Sequence, residues 1–363
     1  MISRSSIRLS RSALVQNYRI LSKKVPGKKM LPMVKADAYG HDAIFVAKSL
    51  SAESSLHGFG VATFNEAIEL RNGIKRNDLP IVVFSDCAPW DQERSDLCLK
   101  YRLQPVFSEL ESLLRFQSSA DSVRIGAHVE INTGMNRLGI PVDSLGLVKF
   151  YPKSMFTHLA DADTPQAKLT QTQMAAFSRV VKDLRVRFPQ TLLHFANSSA
   201  IWNHSKFELS PQMDLVRPGL SLYGIRPFPA AKNDGLKRVM RYTSRVLNRI
   251  YLNEGDRVGY GGTYRCRNPK GEWVAILGGG YADGIFRSLG NQGIAYHGSR
   301  KLQFLGRVSM DLSAIQGSAR IKIGDEIELW GNQVDPYEQS ALAGTIPYEI
   351  TTRVGSRVER IYE

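Results

Sequence analysis

No stretch of this 363-residue chain approaches the roughly 18 consecutive apolar residues that a membrane-crossing helix needs. No membrane partner is therefore expected. Cysteine is scarce, with Cys87, Cys98 and Cys266 making up the whole complement. That is too few for a disulfide framework, and the spacing suits no metal site. A reducing cytoplasm is the simplest setting. Residues 1–15 contain no continuous apolar core, which makes a poor secretory signal. Acidic residues are in deficit, 34 against 48 lysines and arginines, and the net charge is +14. Such a balance can serve nucleic acid or a membrane surface. Yet the basic residues are scattered, with Arg179, Lys182, Arg185 and Arg187 in one stretch and Lys237, Arg238, Arg241 and Arg245 in another. Neither stretch is interleaved with the aromatics on which bases stack. A solvated basic surface without a nucleic-acid partner is the reading, and it can also attract an anionic small molecule.

What is present is alternation. Through about residue 230, apolar strand-like runs alternate with amphipathic helical ones. The strands are placed at Met30–Val34, Gly58–Ala62, Pro80–Phe84, Leu103–Phe107, Val123–Ile131, Ser154–His158, Leu192–Ala196 and Leu215–Leu222. Asp42 can cap a helix whose apolar face is Ala43, Val46, Ala47 and Leu50. Pro165 opens a longer helix carrying Met174, Phe177, Val180, Val181 and Leu184. Eight such units imply an α/β fold, a (β/α)8 TIM barrel, in which reactive residues sit at the C-terminal ends of strands. After about residue 236, short strands and glycine turns take over: Tyr242–Tyr251, Val258–Tyr264, Trp273–Leu277, Lys301–Phe304 and Glu326–Trp330, with one helix at Tyr337–Ala343. The expected organisation is a lone N-terminal strand in residues 1–10 joining the C-terminal domain, a barrel over 11–235, and a C-terminal mostly-β domain over 236–363.

Several residues occupy positions suited to chemistry. Lys35 ends the first strand, where a lysine can hold a carbonyl cofactor as a Schiff base. His158, Asn197 and Arg217 likewise follow or end strands. By itself a lysine is most often a surface residue, His158 a satisfied core histidine, and Tyr260 between glycines a hairpin aromatic. The run Gly278-Gly279-Gly280 could form an anion nest, but its place in the β domain favours a sharp turn. On the strand before Asn132, alternation puts Val123, Ile125, Ala127, Val129 and Ile131 on one face and sends His128 and Glu130 into the barrel. A buried carboxylate there needs a cation, and Arg137 is the candidate.

The strings Val34-Lys35-Ala36-Asp37-Ala38-Tyr39-Gly40-His41, His194-Phe195-Ala196-Asn197-Ser198, Arg217-Pro218-Gly219 with Leu222-Tyr223-Gly224, Tyr260-Gly261, Gly280-Tyr281-Ala282-Asp283-Gly284, Gly306-Arg307-Val308-Ser309-Met310-Asp311 and Ile346-Pro347-Tyr348 together resemble the alanine racemases, pyridoxal phosphate (PLP) enzymes of fold type III. The resemblance runs over nearly the whole chain. It implies PLP on Lys35, with its phosphate among Tyr39, Asn197, Ser198, Gly219, Leu220 and Tyr348. It places Arg217 against the pyridine nitrogen. Because arginine does not release its proton, the ring stays neutral and is a poor electron sink, which suppresses transamination. Two bases, both tuned toward neutrality, would then be Lys35 for the D substrate and Tyr260 for the L substrate, with His158 supporting Tyr260. Arg137 and the Met310 backbone N–H would bind the substrate carboxylate, Asp311 would support the site, and Tyr281 would line its entrance. A bulky Tyr348 favours a small side chain. The family's tyrosine comes from a second subunit, so a homodimer is implied, with D-alanine for peptidoglycan as the product and no metal ion.

The chain departs from the family at Glu130, where a carbamylated lysine is frequent and orients the arginine matching Arg137; here glutamate carries the negative charge outright. Asn132, where aspartate is frequent, is a milder departure. Three rivals stand beside this reading. A PLP decarboxylase of the same plan lacks support because Cys266 is in no suitable context. A broader-specificity racemase remains open, and a non-catalytic PLP carrier would consist of the barrel alone.

Overall fold

The computed structural model describes residues 3–208, 210–228 and 235–363. The chain divides into two compact units, Val15–Leu222 with Arg226–Leu236, and Met1–Leu14 with Tyr223–Ile225 and Lys237–Glu363.

The first unit is a ring of parallel strands. Phe59–Val61, Ile81–Val83, Leu103–Phe107, His128–Asn132, Ser154–Phe156 and Leu192–His194 pair side by side in chain order. Leu215–Val216 pairs with Lys29–Met30. Backbone hydrogen bonds join these two groups into one circuit: Arg217 N–H to the Ala196 carbonyl (2.8 Å), Leu31 N–H to Val216 (2.9 Å) and Val34 N–H to Gly60 (2.8 Å). The result is the (β/α)8 barrel that eight alternating units imply. The period of two decides what fills it. Leu31, Val82, Val106, Phe156 and Leu215 form one apolar cluster. Gly60 leaves room for its neighbours: a Cβ there would lie 2.6 Å from Met33 Sδ and 2.9 Å from Phe84, so both side chains would have to shift.

Most strands are shorter than their apolar runs. Val123 belongs to no strand; it ends a short helical turn, Ala120–Val123, and is 90% exposed. The Ile125 N–H bonds back to the Asp121 carbonyl (2.9 Å), which keeps the chain turned until the strand begins at His128. The long helix starts at Lys168 rather than at Pro165. Asp42 does cap Ala43–Leu50, accepting from the Phe45 N–H. Among the described residues no helix is long and apolar enough to cross a membrane.

The second unit is antiparallel around the 13-residue strand Met240–Leu252. Its sheet runs in the order Glu272–Leu277, Ser313–Gln316, Arg300–Leu305, Ile294–His297, Glu326–Trp330, Met240–Leu252, Ser5–Leu9, Glu359–Tyr362, and Met240–Leu252 also pairs with Glu272–Leu277. Six strands therefore close on themselves, and buried Trp330 and Tyr242, paired across two of them, meet edge-on at 4.3 Å. Val258–Tyr264 is not one strand. Arg257–Val258 and Tyr264–Arg265 pair across a turn, because Gly259, Gly261 and Gly262 all take positive φ. A second helix, Pro347–Thr352, starts on a proline in its first turn and carries Tyr348.

Candidate active site

Lys35 lies at the C-terminal end of the first barrel strand and begins an unusual turn. Ala36, Asp37, Ala38 and Tyr39 all have φ between 50° and 56°. A left-handed turn built from non-glycine residues costs about 1–2 kcal/mol per residue, so something must hold it. Three side chains do. Glu66 Oε1 accepts from the Ala36 N–H (2.7 Å) while its Oε2 accepts from Ala62 and Thr63 (2.7 and 3.2 Å). Asp37 Oδ1 accepts from the Ala43 N–H (2.9 Å). Buried His41 donates from Nδ1 toward the Tyr39 and Ala38 carbonyls (2.9 and 3.1 Å). Lys35 itself keeps solvent access, but protein crowds its amine on most sides. That loss of water is the largest cause of a pKa below the ordinary lysine value. Arg137 and Arg217 push in the same direction, and Glu66 opposes them.

Arg217 is buried to 3% exposure and tightly held. Its Nη1 donates to His194 Nδ1. Its Nη2 donates to the Thr157 carbonyl (3.2 Å), the Phe195 carbonyl (3.3 Å) and His158 Nδ1 (3.3 Å). The guanidinium also lies over the Phe156 ring at 4.7 Å. The Arg217 Nε–H has no protein acceptor among the described residues. Burial lowers its pKa to about 10 against the opposing pull of Glu130. His158 is driven down to about 3 by burial and then by Arg217, Arg137 and Lys35. Both histidines are thus neutral. Since arginine only donates, their Nδ1 atoms are the acceptors and their protons sit on Nε2.

A second group of residues converges on Gly219. A Cβ there would lie 2.5 Å from the Tyr39 hydroxyl. Ser198 Oγ accepts from the Gly219 N–H (2.9 Å) and the Ser221 N–H (3.3 Å). Leu220 follows on a short helical turn. Asn197 caps the helix at Ser198, accepting from the Ala200 N–H (3.0 Å). Two hydroxyls against a glycine backbone fit a phosphate, and an open Nε–H on buried Arg217 fits a ring nitrogen acceptor. The residues present therefore suit PLP.

Glu130 departs from its expected pairing. Its Oε2 accepts from Ser108 Oγ (2.8 Å), and no ion pair within 4 Å links it to Arg137 among the described residues. Arg137 is exposed on the loop that follows. Burial raises the Glu130 pKa, against the Ser108 hydrogen bond, Arg217 and Arg137. Alternation aimed this carboxylate into the barrel as expected, but Gly134, Asn136 and Gly139 take positive φ and carry Arg137 along the rim.

In the second unit Tyr260 stands 73% exposed on its glycine turn. It borders a 640 Å³ cavity with Ile250, Val258, Arg307 and Leu312. Gly280 backs directly onto the Met310 carbonyl, 2.3 Å from where a Cβ would be. Backbone bonds from Tyr281 to Ser309 (2.9 Å) and Ala282 to Met310 (3.0 Å) tie the two loops together. Arg357 clamps both, reaching Asp283 (2.6 and 3.0 Å) and Asp311 (2.6 Å). The glycine run is thus a close-packed turn. Met310 and Tyr281 are exposed, and Tyr348 is partly so. Sequence reading singled out neither Glu66 nor Arg357; the capping-box spacing of Thr63 and Glu66 was the one available signal for the former. No group of three or more His, Cys, Asp or Glu residues able to hold a metal exists among the described residues.

Two family profiles match the chain, the alanine racemase N-terminal domain over residues 9–227 and its C-terminal domain over 239–362. The chain belongs to the alanine racemase family. It is an isomerase of that class. Alanine racemases from Halothermothrix orenii and Carboxydothermus hydrogenoformans are 35% and 33% identical to it, over 92% and 95% of this chain and 90% and 96% of theirs. The crystal structure of alanine racemase from Bartonella henselae, with covalently bound pyridoxal phosphate, superposes with a TM-score of 0.88 at 28% identity and full coverage of both chains. The family's two-domain plan thus extends over this whole chain, including the loops that carry Tyr260 and Met310.

Proposed function

We propose that this chain interconverts L- and D-alanine with PLP as cofactor, as a homodimer, and supplies D-alanine for peptidoglycan in the cytoplasm. The observation that carries the reading is Lys35, a lysine of lowered proton affinity at the barrel mouth, beside an arginine locked onto two neutral histidines. Lys35 would hold the cofactor carbonyl carbon, Tyr39, Ser198 and Gly219 its phosphate, and Arg217 Nε its ring nitrogen. When bound, the cofactor supplies an electron sink that makes the amino acid's Cα proton removable.

The protein's own residues determine the rest. Lys35, whose proton affinity is lowered by burial and by Arg137 and Arg217, is the base that takes a proton from one face of Cα and returns it. Arg217, even at a pKa of about 10, is uncharged in only about one molecule in a thousand at pH 7, so it offers a hydrogen bond and not a proton. Tyr260 is the base for the opposite face. It is exposed on one chain, beside an apolar cavity, which supports its delivery to the barrel of a partner subunit. His158, neutral with its proton on Nε2, would support Tyr260 by donating toward its phenolic oxygen. Tyr348 would crowd any side chain larger than a methyl group. Arg137 and the Met310 N–H would hold the substrate carboxylate. Incubating the protein with PLP and L-alanine, L-serine, L-lysine or L-arginine in D2O tests the proposal. α-Deuterium uptake with D product from alanine alone is expected. Exchange with all four would establish a broader racemase, and no exchange would overturn the assignment.

A further inference from the structure

The bond from Arg217 to His194 is the first link of a longer chain. His194 Nε2 lies 2.9 Å from Ser154 Oγ. Ser154 Oγ lies 2.7 Å from His128 Nδ1. His128 Nε2 lies 3.0 Å from Gln104 Oε1. The four residues sit on four neighbouring barrel strands, with His128 and Ser154 in direct register. His128, Ser154 and His194 are all 3% exposed or less, so water cannot replace a missing partner. At its far end the chain reaches Gln104, which is partly exposed beside Gly126 and Lys153.

Proton counting gives this chain one direction. Arg217 has only donors, so His194 Nδ1 accepts and its single proton is on Nε2. Ser154 must accept that proton, which leaves its own hydrogen for His128 Nδ1. His128 therefore carries its proton on Nε2 and donates to Gln104. Both imidazoles have to be neutral for this order to hold. Burial lowers both, His128 to about 3, with the nearby His57 and Lys153 adding to the effect. The opposite tautomer of His194 would set an N–H against the guanidinium N–H groups, and Arg217 would have to turn away.

We infer that Ser154, His128 and Gln104 are positioning residues for Arg217, acting through His194 by fixing its tautomer. The inference rests on the reading above only in giving Arg217 a cofactor to face. The relay aligns the buried Arg217 guanidinium from a distance of three side chains. A rigid Arg217 keeps its Nε–H aimed and the ring nitrogen unprotonated. A loosened Arg217 lets water or another donor protonate that nitrogen, and the bound cofactor then becomes a stronger electron sink.

Two measurements test this. Long-range 1H–15N correlation spectra of histidine-labelled wild-type protein should show His194 and His128 as neutral Nε2–H tautomers. An Nδ1–H tautomer, or a charged ring, at either position near neutral pH would overturn the relay regardless of any activity. In PLP-loaded Ser154→Ala, racemisation kcat should fall on the order of tenfold, with KM for alanine changed less. The ratio of transamination to racemisation should rise and the cofactor absorption band should shift. Ser154→Thr, which keeps the hydroxyl, should restore tautomer, band and ratio. Gln104→Leu, at the exposed end, should show the same changes in weaker form without risk to the core. If Ser154→Ala or Gln104→Leu folds and keeps the wild-type band, ratio and kcat, the positioning role is wrong. Wild-type protein with the expected tautomers and no racemase activity would instead sink the functional reading and leave the relay standing.

Discussion

At the scale of single residues, two carboxylates set the electrostatics of the site, Glu66 toward Lys35 and Glu130 toward the arginines. Glu66 is the negative group that acts on the lysine amine against Arg137 and Arg217 among the described residues, and it also pins the Ala36 N–H. Replacing Glu66 by Gln removes the opposing charge, so the Lys35 pKa should move further down. The rate at which apoprotein takes up PLP follows the neutral amine, and its pH midpoint should shift to lower pH in Glu66→Gln. An unmoved midpoint would contradict this assignment. Glu130 is the second case. Its carboxylate accepts a hydrogen bond from Ser108, and its charge faces Arg217 and Arg137 at longer range. Glu130→Gln keeps the Ser108 contact and deletes that field. A loss of about tenfold in kcat/KM for alanine is expected, since a mispositioned clamp costs one to two orders of magnitude. Unchanged steady-state kinetics would mean that the glutamate only fills space.

At the scale of elements, local chemistry was the legible part. Leu103–Phe107 and Glu326–Trp330 lie where composition and alternation put them. The Asp42 cap was readable because its donor is three residues away. What escaped depends on distant partners. Nothing local in Ala36-Asp37-Ala38-Tyr39 announces a left-handed turn, because its supports include Glu66, thirty residues on. Pro347–Thr352 was hidden by its brevity. Glu130 was aimed correctly by the period of two, but its partner Ser108 lies just past the end of the neighbouring strand, Leu103–Phe107, and left no mark beside it. The Gly219 turn gives a sharp prediction at this scale. Gly219→Ala puts a Cβ 2.5 Å from the Tyr39 hydroxyl, so the variant should fold yet bind PLP at least tenfold more weakly, as read by absorbance titration. Asn197→Ala removes a helix cap and should cost about 1 kcal/mol in urea unfolding of the apoprotein, with a larger effect pointing to a role beyond capping.

At the scale of the whole molecule, buried histidines tie stability to pH. His41 and His128 stay neutral in the folded chain down to about 4 and about 3, chiefly through burial, and His194 falls well below its ordinary value. In the unfolded chain each takes up a proton near pH 6.5. Between those limits the unfolded state binds more protons, so stability is full above about pH 6.5 and is lost as pH falls, by up to about 1.4 kcal/mol per pH unit for each histidine. The urea midpoint should therefore drop steeply from about pH 7 to about pH 5; a flat profile would contradict neutral burial. The division of labour between units leads to the central claim. Lys35 belongs to the barrel unit and Tyr260 is exposed on the other, and the account assigns the two bases of one site to different chains. The most direct measurement is complementation. Lys35→Ala and Tyr260→Phe proteins, each inactive alone, are unfolded together and refolded as a mixture. Half of random dimers are hybrids with one intact site of two, so about a quarter of wild-type activity should return. If both bases came from the same chain, every site in the hybrid would carry a defect, and the mixture would stay as inactive as its components.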